Sequence, residues 1–283
     1  MTGLVLQHPD LAADTVERFT AAIGTAPAER QAGVAWWPAT TLTRDEVAAL
    51  ADRLQVDAQL VAGRPPLSSF GLLVFDMDST LITIECVDEI ADYVGKKAEV
   101  AAITEAAMRG EIADYNESLR RRVALLAGLP EQTLQRVYDE RLRLTPGAET
   151  LIAAAHRAGL KVLLVSGGFT FFTSRLQPRL ALDFVRANEL GVADGRLTGQ
   201  VLGEIVNADV KRATVEATCA RLGIAPSRAI VVGDGANDLK MMAVAGMSVA
   251  FHAKPVVRAQ TTHAISHGGL DGILNFFEPA AGR

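Results

Sequence analysis

The hydrophobic rhythm of this chain changes near residue 65. Upstream, LVLQ and GVAWW read as strands, while AADTVERFTAAIG and RDEVAALADRLQ carry apolar residues at helical spacing. Residues 1–66 are therefore predicted to form a small α+β appendage of unknown role, with no evident constellation of reactive side chains. Gly63-Arg64-Pro65-Pro66-Leu67-Ser68-Ser69 has the composition of a linker. Beyond it come continuous apolar runs at Gly71–Phe75 (GLLVF), Lys161–Val165 (KVLLV) and Ala229–Val232 (AIVV), and a weaker one at Ser248–Phe251 (SVAF). Runs of this kind mark strands buried on both faces of a parallel sheet. Helical segments such as ETLIAAAHRAG and KRATVEATCARLG separate them. Strands alternating with helices predict an α/β fold over residues 67–283, a doubly wound, Rossmann-like parallel sheet.

About 85 residues separate the first two of these strands, more than one crossover needs. VDEIADYVG, KAEVAAITEAAMRG, ADYNESLRRRVALLAG and EQTLQRVYDERL all have helical spacing, so a helical cap is predicted at about 86–145. ANELGVADGRLTGQV reads as a hairpin turning at Asp194-Gly195.

Charge narrows the partners. Among 283 residues, 28 Lys+Arg stand against 33 Asp+Glu, a formal net charge of −5. No basic excess is available for nucleic acid or an anionic membrane surface, so neither is expected as a partner. No apolar run approaches the roughly 20 residues that span a bilayer. The first residues lack the basic start and long apolar run of a secretion signal. Cys86 and Cys219 are too few for a disulfide framework. These features predict a soluble cytoplasmic protein; a homodimer is compatible with them. The five histidines show no metal-ligand spacing, and Met241-Met242 reads as core packing.

Three of the predicted strands end in polar residues: Asp76-Met77-Asp78-Ser79-Thr80, Ser166-Gly167-Gly168 and Gly233-Asp234-Gly235-Ala236-Asn237-Asp238. Ligands of open α/β sheets bind outside the carboxyl ends of the strands, so the three motifs should meet in one crevice. Two aspartates two residues apart can supply a nucleophile and an acid–base partner for phosphoryl transfer, although Asp-rich turns also serve as helix caps. Asp234 and Asp238 could join Asp76 around a magnesium ion, which takes carboxylates, phosphate and water as ligands. Ser166-Gly167-Gly168 offers a hydroxyl and free amides at the opening of a helix, and either phosphate binding or an ordinary turn would use them. Lys211 stands near the start of a helix that Asp209 would cap, where a cation opposes the helix dipole and a bound phosphate would relieve the conflict.

In this order the motifs resemble those of the haloacid dehalogenase superfamily, and within it the phosphoserine phosphatases. The similarity runs from about Gly71 onward, and FDMDSTLITIECVDEIA, AMRGEIADYNESLRRRVALLAGL, LVSGGFTFF and VVGDGANDLKMMAVAGMSVAFHAKP carry it. The resemblance implies Asp76 as nucleophile and Asp78 as general acid and base. It implies Mg2+ held by the Asp76 and Asp234 carboxylates and the Asp78 backbone carbonyl. Asp238 would order a metal-bound water or the loop, and Ser166, Gly167, Lys211 and nearby Asn237 would hold phosphoryl oxygens. Thr80 and Gly168 would support them. Glu85, nine residues after Asp76, would receive a substrate ammonium and Arg122 its carboxylate. Tyr115, Leu119 and Arg122 share one helix face by their spacing. Met108 and Gly110 match the family's cap pattern, whereas Tyr115 stands where phenylalanine is more usual. The implied activity is conversion of phosphoserine to serine and phosphate through an aspartyl-phosphate, the last step of serine biosynthesis. Another small phosphoester, such as phosphothreonine or phosphohomoserine, or transfer to an acceptor other than water, is the alternative.

Overall fold

The computed structural model describes residues 2–109, 111–112 and 114–279. The N-terminal unit runs β1 (Gly3–Gln7), α1 (Ala13–Ile23), β2 (Glu29–Gln31), β3 (Val34–Trp37), α2 (Arg44–Leu54) and β4 (Asp57–Val61). Its strands form an antiparallel sheet in the order β2-β3-β1-β4. Thr43 and Glu46 form a reciprocal capping box at the start of α2, satisfying donors that the first helical turn leaves free. Sequence periodicity missed β2 and β4. The first is exposed and polar, and the second carries Asp57 and Gln59 instead of a clean apolar alternation.

Alternation along β1 decides how this sheet docks. Leu4 and Leu6 face α1 and α2, where they pack with Val16, Phe19, Trp37 and Val47, while Val5 faces the other way, into the core of the rest of the chain. Polar contacts fasten the same face. The buried Asp57 carboxylate accepts hydrogen bonds from the backbone N–H groups of Ser266, His267 and Gly268 at 2.6, 3.0 and 3.1 Å. Arg64 Nε donates to Phe277 O at 2.7 Å.

After the linker, β5 (Leu72–Phe75) enters the centre of a second sheet. The insertion that follows contains α3 (Cys86–Asp92), α4 (Lys97–Met108), α5 (Tyr115–Ala124) and α6 (Gln132–Arg136), which runs on into a π-helical turn at Val137–Arg141. Gly110 lies outside the described residues, as does the side chain of Met108. The chain leaves and re-enters the sheet region side by side: Ile82 bridges Leu144, and Thr83 N donates to Arg143 O at 3.0 Å. The remainder runs α7 (Ala148–Arg157), β6 (Lys161–Phe169), α8 (Thr170–Leu180), β7 (Phe184–Ala193), β8 (Arg196–Leu202), α9 (Ala208–Leu222), β9 (Ala229–Gly233), α10 (Leu239–Met242), β10 (Met247–Phe251), α11 (Pro255–Arg258) and β11 (His263–Ile265).

The seven strands are ordered β11-β10-β9-β5-β6-β7-β8, all parallel except the β7–β8 hairpin, which turns at Asp194-Gly195. Alternation again sorts the side chains. Leu73, Phe75, Val162, Leu164, Ile230 and Val232 pack with α7 and α8, whereas Leu72, Val74, Leu163, Val165 and Val231 pack with α9 and α10. Helices thus cover both faces, as the apolar runs predict, and Met241 and Met242 are buried in the second layer.

Two local expectations are corrected. Ser166-Gly167-Gly168 does not open a helix; β6 continues through it to Phe169 across a shift in register, and α8 starts at Thr170. Asp209 does not cap α9. Asn207 does, accepting from Asp209 N and Val210 N at 3.1 Å each, while Asp209 pairs with Lys240. Asparagine is as good a cap as aspartate, and it stands one residue before the helix.

Candidate active site

The three polar strand ends do meet, because β9, β5 and β6 are neighbours in the sheet. Asp76 follows β5, and its N–H donates to Val232 O at 3.0 Å, tying the first motif to β9. The turn that follows bends sharply at Ser79, whose φ of 55° lies in the left-handed region disfavoured for residues other than glycine. That bend turns the Ser79 hydroxyl toward the cap entry, where it donates to Glu85 Oε1 at 2.6 Å. Sequence reading did not single out Ser79.

A cavity of about 170 Å³ opens here, lined by Asp76, Asp78, Ser166, Gly167, Gly168, Asp234 and Asn237 from the sheet side. Glu85, Val87, Tyr115, Leu119 and Arg122 line it from the insertion. Tyr115, Leu119 and Arg122 lie on α5, on the shared face their spacing predicts. The Arg122 Nε is buried and has no hydrogen-bond partner among the described residues. Lys211, Asp238 and Thr80 stand behind the wall, within the protein.

Lys211 is 1% exposed, so the lone cation read from sequence as near a helix start is a core group. Its Nζ donates to Asp76 Oδ1 and to Asp238 Oδ1, each at 2.7 Å. Burial opposes its charge, but Asp238 and Asp76 outweigh burial and hold Lys211 protonated well above its usual range. Asp238 also accepts from Gly235 N at 3.2 Å, which orders the loop. A β-carbon at Gly233 would overlap the Asp238 carboxylate, so the glycine lets that side chain fold back under the strand end.

Carboxylates crowd the cavity. Burial pushes Asp76 well up, as does repulsion from Asp238, with Lys211 pulling in the opposite direction. Asp78 is pushed up to about 8 by burial and then by Glu85, and Asp234 to about 7 by burial and then by Asp238. Asp78 Oδ1 is buried without a hydrogen-bond partner among the described residues. Oxygens of Asp76, Asp234 and Asp238 lie within 4.8 Å of one another. Three acids sharing one ammonium leave an excess of negative charge, which suits a hard divalent cation. Asp238 is already engaged by Lys211 and Gly235, whereas among the described residues Asp234 accepts only from Thr80 Oγ1, at 3.3 Å. The donor set therefore fits Mg2+ with Asp76 and Asp234 as its carboxylates.

The glycine loop is held by Asn188, a second residue that sequence reading missed. Its Nδ2 donates to Gly167 O at 2.7 Å and its Oδ1 accepts from Val206 N at 2.8 Å. An asparagine is out of place in a strand, and that was the available signal. Ser166 Oγ accepts from Gly168 N at 2.8 Å.

The profile of the haloacid dehalogenase-like hydrolases matches residues 73–243. The phosphoserine phosphatase of Albidiferax ferrireducens is 59% identical over 221 residues, 76% of this chain and 93% of that protein. A haloacid dehalogenase family hydrolase from Salmonella enterica serovar Typhi has a TM-score of 0.88 at 34% identity, over 98% of this chain and 99% of its own. A phospho-aspartyl intermediate analogue of phosphoserine phosphatase superposes with a TM-score of 0.69 at 38% identity, over 74% of this chain and 99% of its own. No helix among the described residues is long and apolar enough to cross a membrane. The chain belongs to the haloacid dehalogenase-like hydrolases, an enzyme family, and its relatives named here within that family include phosphoserine phosphatases.

Proposed function

We propose that this enzyme hydrolyses phosphoserine to serine and inorganic phosphate through an aspartyl-phosphate on Asp76, as the last step of serine biosynthesis in the cytoplasm. The observation that carries the substrate is the pairing of Glu85 and Arg122 on the wall of a small cavity that also holds Asp76 and Asp78. A buried guanidinium nitrogen without a partner calls for an anion, and a planar fork suits a carboxylate. Glu85 beside it suits an ammonium. An α-amino acid presents both groups at one end, leaving its phosphoester for the aspartates.

The chemistry follows from the environments. Asp76 must be ionised to attack phosphorus, and the ammonium of Lys211 favours that form. As the Asp76 oxygen bonds to phosphorus, the bond from phosphorus to the seryl oxygen breaks. Asp78, pushed up to about 8, holds a proton at neutral pH and delivers it to the departing oxygen. The resulting carboxylate then removes a proton from the water that attacks the aspartyl-phosphate. Ser166, Gly167 and Asn237 hold phosphoryl oxygens, Gly168 and Thr80 support that shell, and Asp238 keeps Lys211 and the Gly235 loop in place. Mg2+ on Asp76, Asp234 and the Asp78 carbonyl would offset the negative charge gathered at the phosphoryl group.

The test is phosphate release from L-phosphoserine with and without Mg2+, for wild type and Asp76→Asn. Mg2+-dependent release that disappears in the variant supports the proposal. Equal rates on phosphoesters lacking the ammonium and carboxylate would overturn the substrate, and new phosphoesters formed with added alcohols would make the enzyme a phosphotransferase.

A further inference from the structure

We propose that the Tyr115 hydroxyl is a phosphoryl-binding donor supplied by the cap. The proposal rests on the phosphatase reading above and assigns one further residue to that site.

Tyr115 opens α5, and its side chain reaches across the cavity to the backbone of Gly167. A β-carbon on Gly167 would collide with Tyr115 Oη, whereas the ring carbon that bears the hydroxyl stands 3.5 Å from the same point. The atom that closes on the glycine is therefore the hydroxyl oxygen and not the ring. This accounts for glycine at position 167: any side chain would occupy the place the hydroxyl takes. Gly167 is also anchored by Asn188, whose Nδ2 donates to its carbonyl at 2.7 Å.

The hydroxyl makes no hydrogen bond to any described residue, although it lines the cavity beside Asp76, Ser166 and Gly167. Lys211, Arg122, Asp76 and Asp78 all lie near enough to act on it electrostatically. A phenolic O–H both donates and accepts, and the groups around it carry both signs: the cations of Lys211 and Arg122 and the carboxyl groups of Asp76 and Asp78. Because the hydroxyl oxygen closes on the Gly167 backbone, a phosphoryl oxygen seated on Ser166 and Gly167 comes within its reach as an acceptor. The amino-acid end of the substrate is assigned above to Glu85 and Arg122, which line the same cavity. Donation from Tyr115 to the phosphoryl end would couple cap position to phosphate binding, because α5 belongs to the insertion and Gly167 to the sheet.

The test uses the full chain with Mg2+ and the Tyr115→Phe variant, which preserves the ring. Binding of inorganic phosphate is measured by titration calorimetry, and KM and kcat on phosphoserine and on phenyl phosphate, which lacks the amino-acid end. A lost hydrogen bond to a charged group predicts phosphate binding weaker by about tenfold and KM raised by a similar factor on both esters. A melting temperature equal to wild type shows that the variant is folded. Unchanged phosphate affinity in the variant, or a KM rise confined to phosphoserine, would overturn the proposal, as would a wild type that binds no phosphate. The calorimetric arm needs no turnover, so absence of phosphoserine hydrolysis would sink the functional reading separately.

Discussion

Lys211 Nζ lies 2.7 Å from Asp76 Oδ1 in a pair almost wholly withdrawn from water. The cation comes from α9 and the anion from the end of β5, so the two reach one another only when the sheet and its helical layer are assembled. Removing the cation strands two carboxylates, Asp76 and Asp238. Lys211→Met should therefore abolish turnover and lower stability by about 3–5 kcal/mol, the usual consequence of breaking a buried pair. Urea denaturation measures it; a loss below about 1 kcal/mol would mean that the carboxylates are neutralised by other means.

Metal removal should act on stability as well as on rate. Crowding of Asp76, Asp234 and Asp238 raises the free energy of the metal-free fold, and a cation that binds only the folded state stabilises it by mass action. At a hundredfold excess over its dissociation constant, Mg2+ should add about 2.7 kcal/mol. Thermal melts with Mg2+ and with chelator test this, and Asp234→Asn should remove most of the difference while leaving the chelated melting temperature unchanged or raised.

Glu85 and Arg122 should separate substrate choice from chemistry. Arg122→Ala is expected to lower kcat/KM on phosphoserine by about 10–100-fold, the range for a lost hydrogen bond to a charged group. On phenyl phosphate the same variant should change by less than about threefold. Equal losses on both esters would show that Arg122 supports the fold of the site and not the substrate carboxylate.

Acid stability should depend on His263, which packs against Phe276 with ring centroids 4.7 Å apart. Burial pushes its imidazole down to about 4, helped by the nearby Arg44 charge. The unfolded chain binds this proton near pH 6.5 and the folded chain only near pH 4, so between those values the unfolded state takes up more protons. The contribution of His263 is complete above pH 6.5 and is lost as pH falls toward 4. His263→Gln should flatten the decline in melting temperature across that window. Identical pH profiles for the two proteins would refute the assignment.

Much of this molecule was legible in one dimension. Strands buried on both faces must be apolar throughout, so GLLVF, KVLLV and AIVV announced a parallel sheet, and the rule that ligands sit at carboxyl ends of strands marked Asp76, Ser166 and Asp234. Helical spacing put Tyr115, Leu119 and Arg122 on one face. Local pattern failed where a residue's partner is remote. β4 carries polar residues because Asp57 and Gln59 are spent on the backbone of residues 262–268, some two hundred positions away. Ser79 and Asn188 carry no periodic signal, since each serves particular contacts, Ser79 with Glu85 and Asn188 with Gly167 and Val206.

Sequence by itself determined the order of elements and the identity of the reactive groups, because both rest on periodicity and on side-chain chemistry that every residue carries with it. Only the tertiary structure decided their state. Lys211 looked like one lysine among many until packing enclosed it between Asp76 and Asp238, and the Tyr115 hydroxyl acquired its place against Gly167 only when α5 was set across the end of β6. Burial and proximity are sums over neighbours from distant parts of the chain, and the pKa of Asp78 or the lack of a partner on Arg122 exists only once those neighbours are assembled.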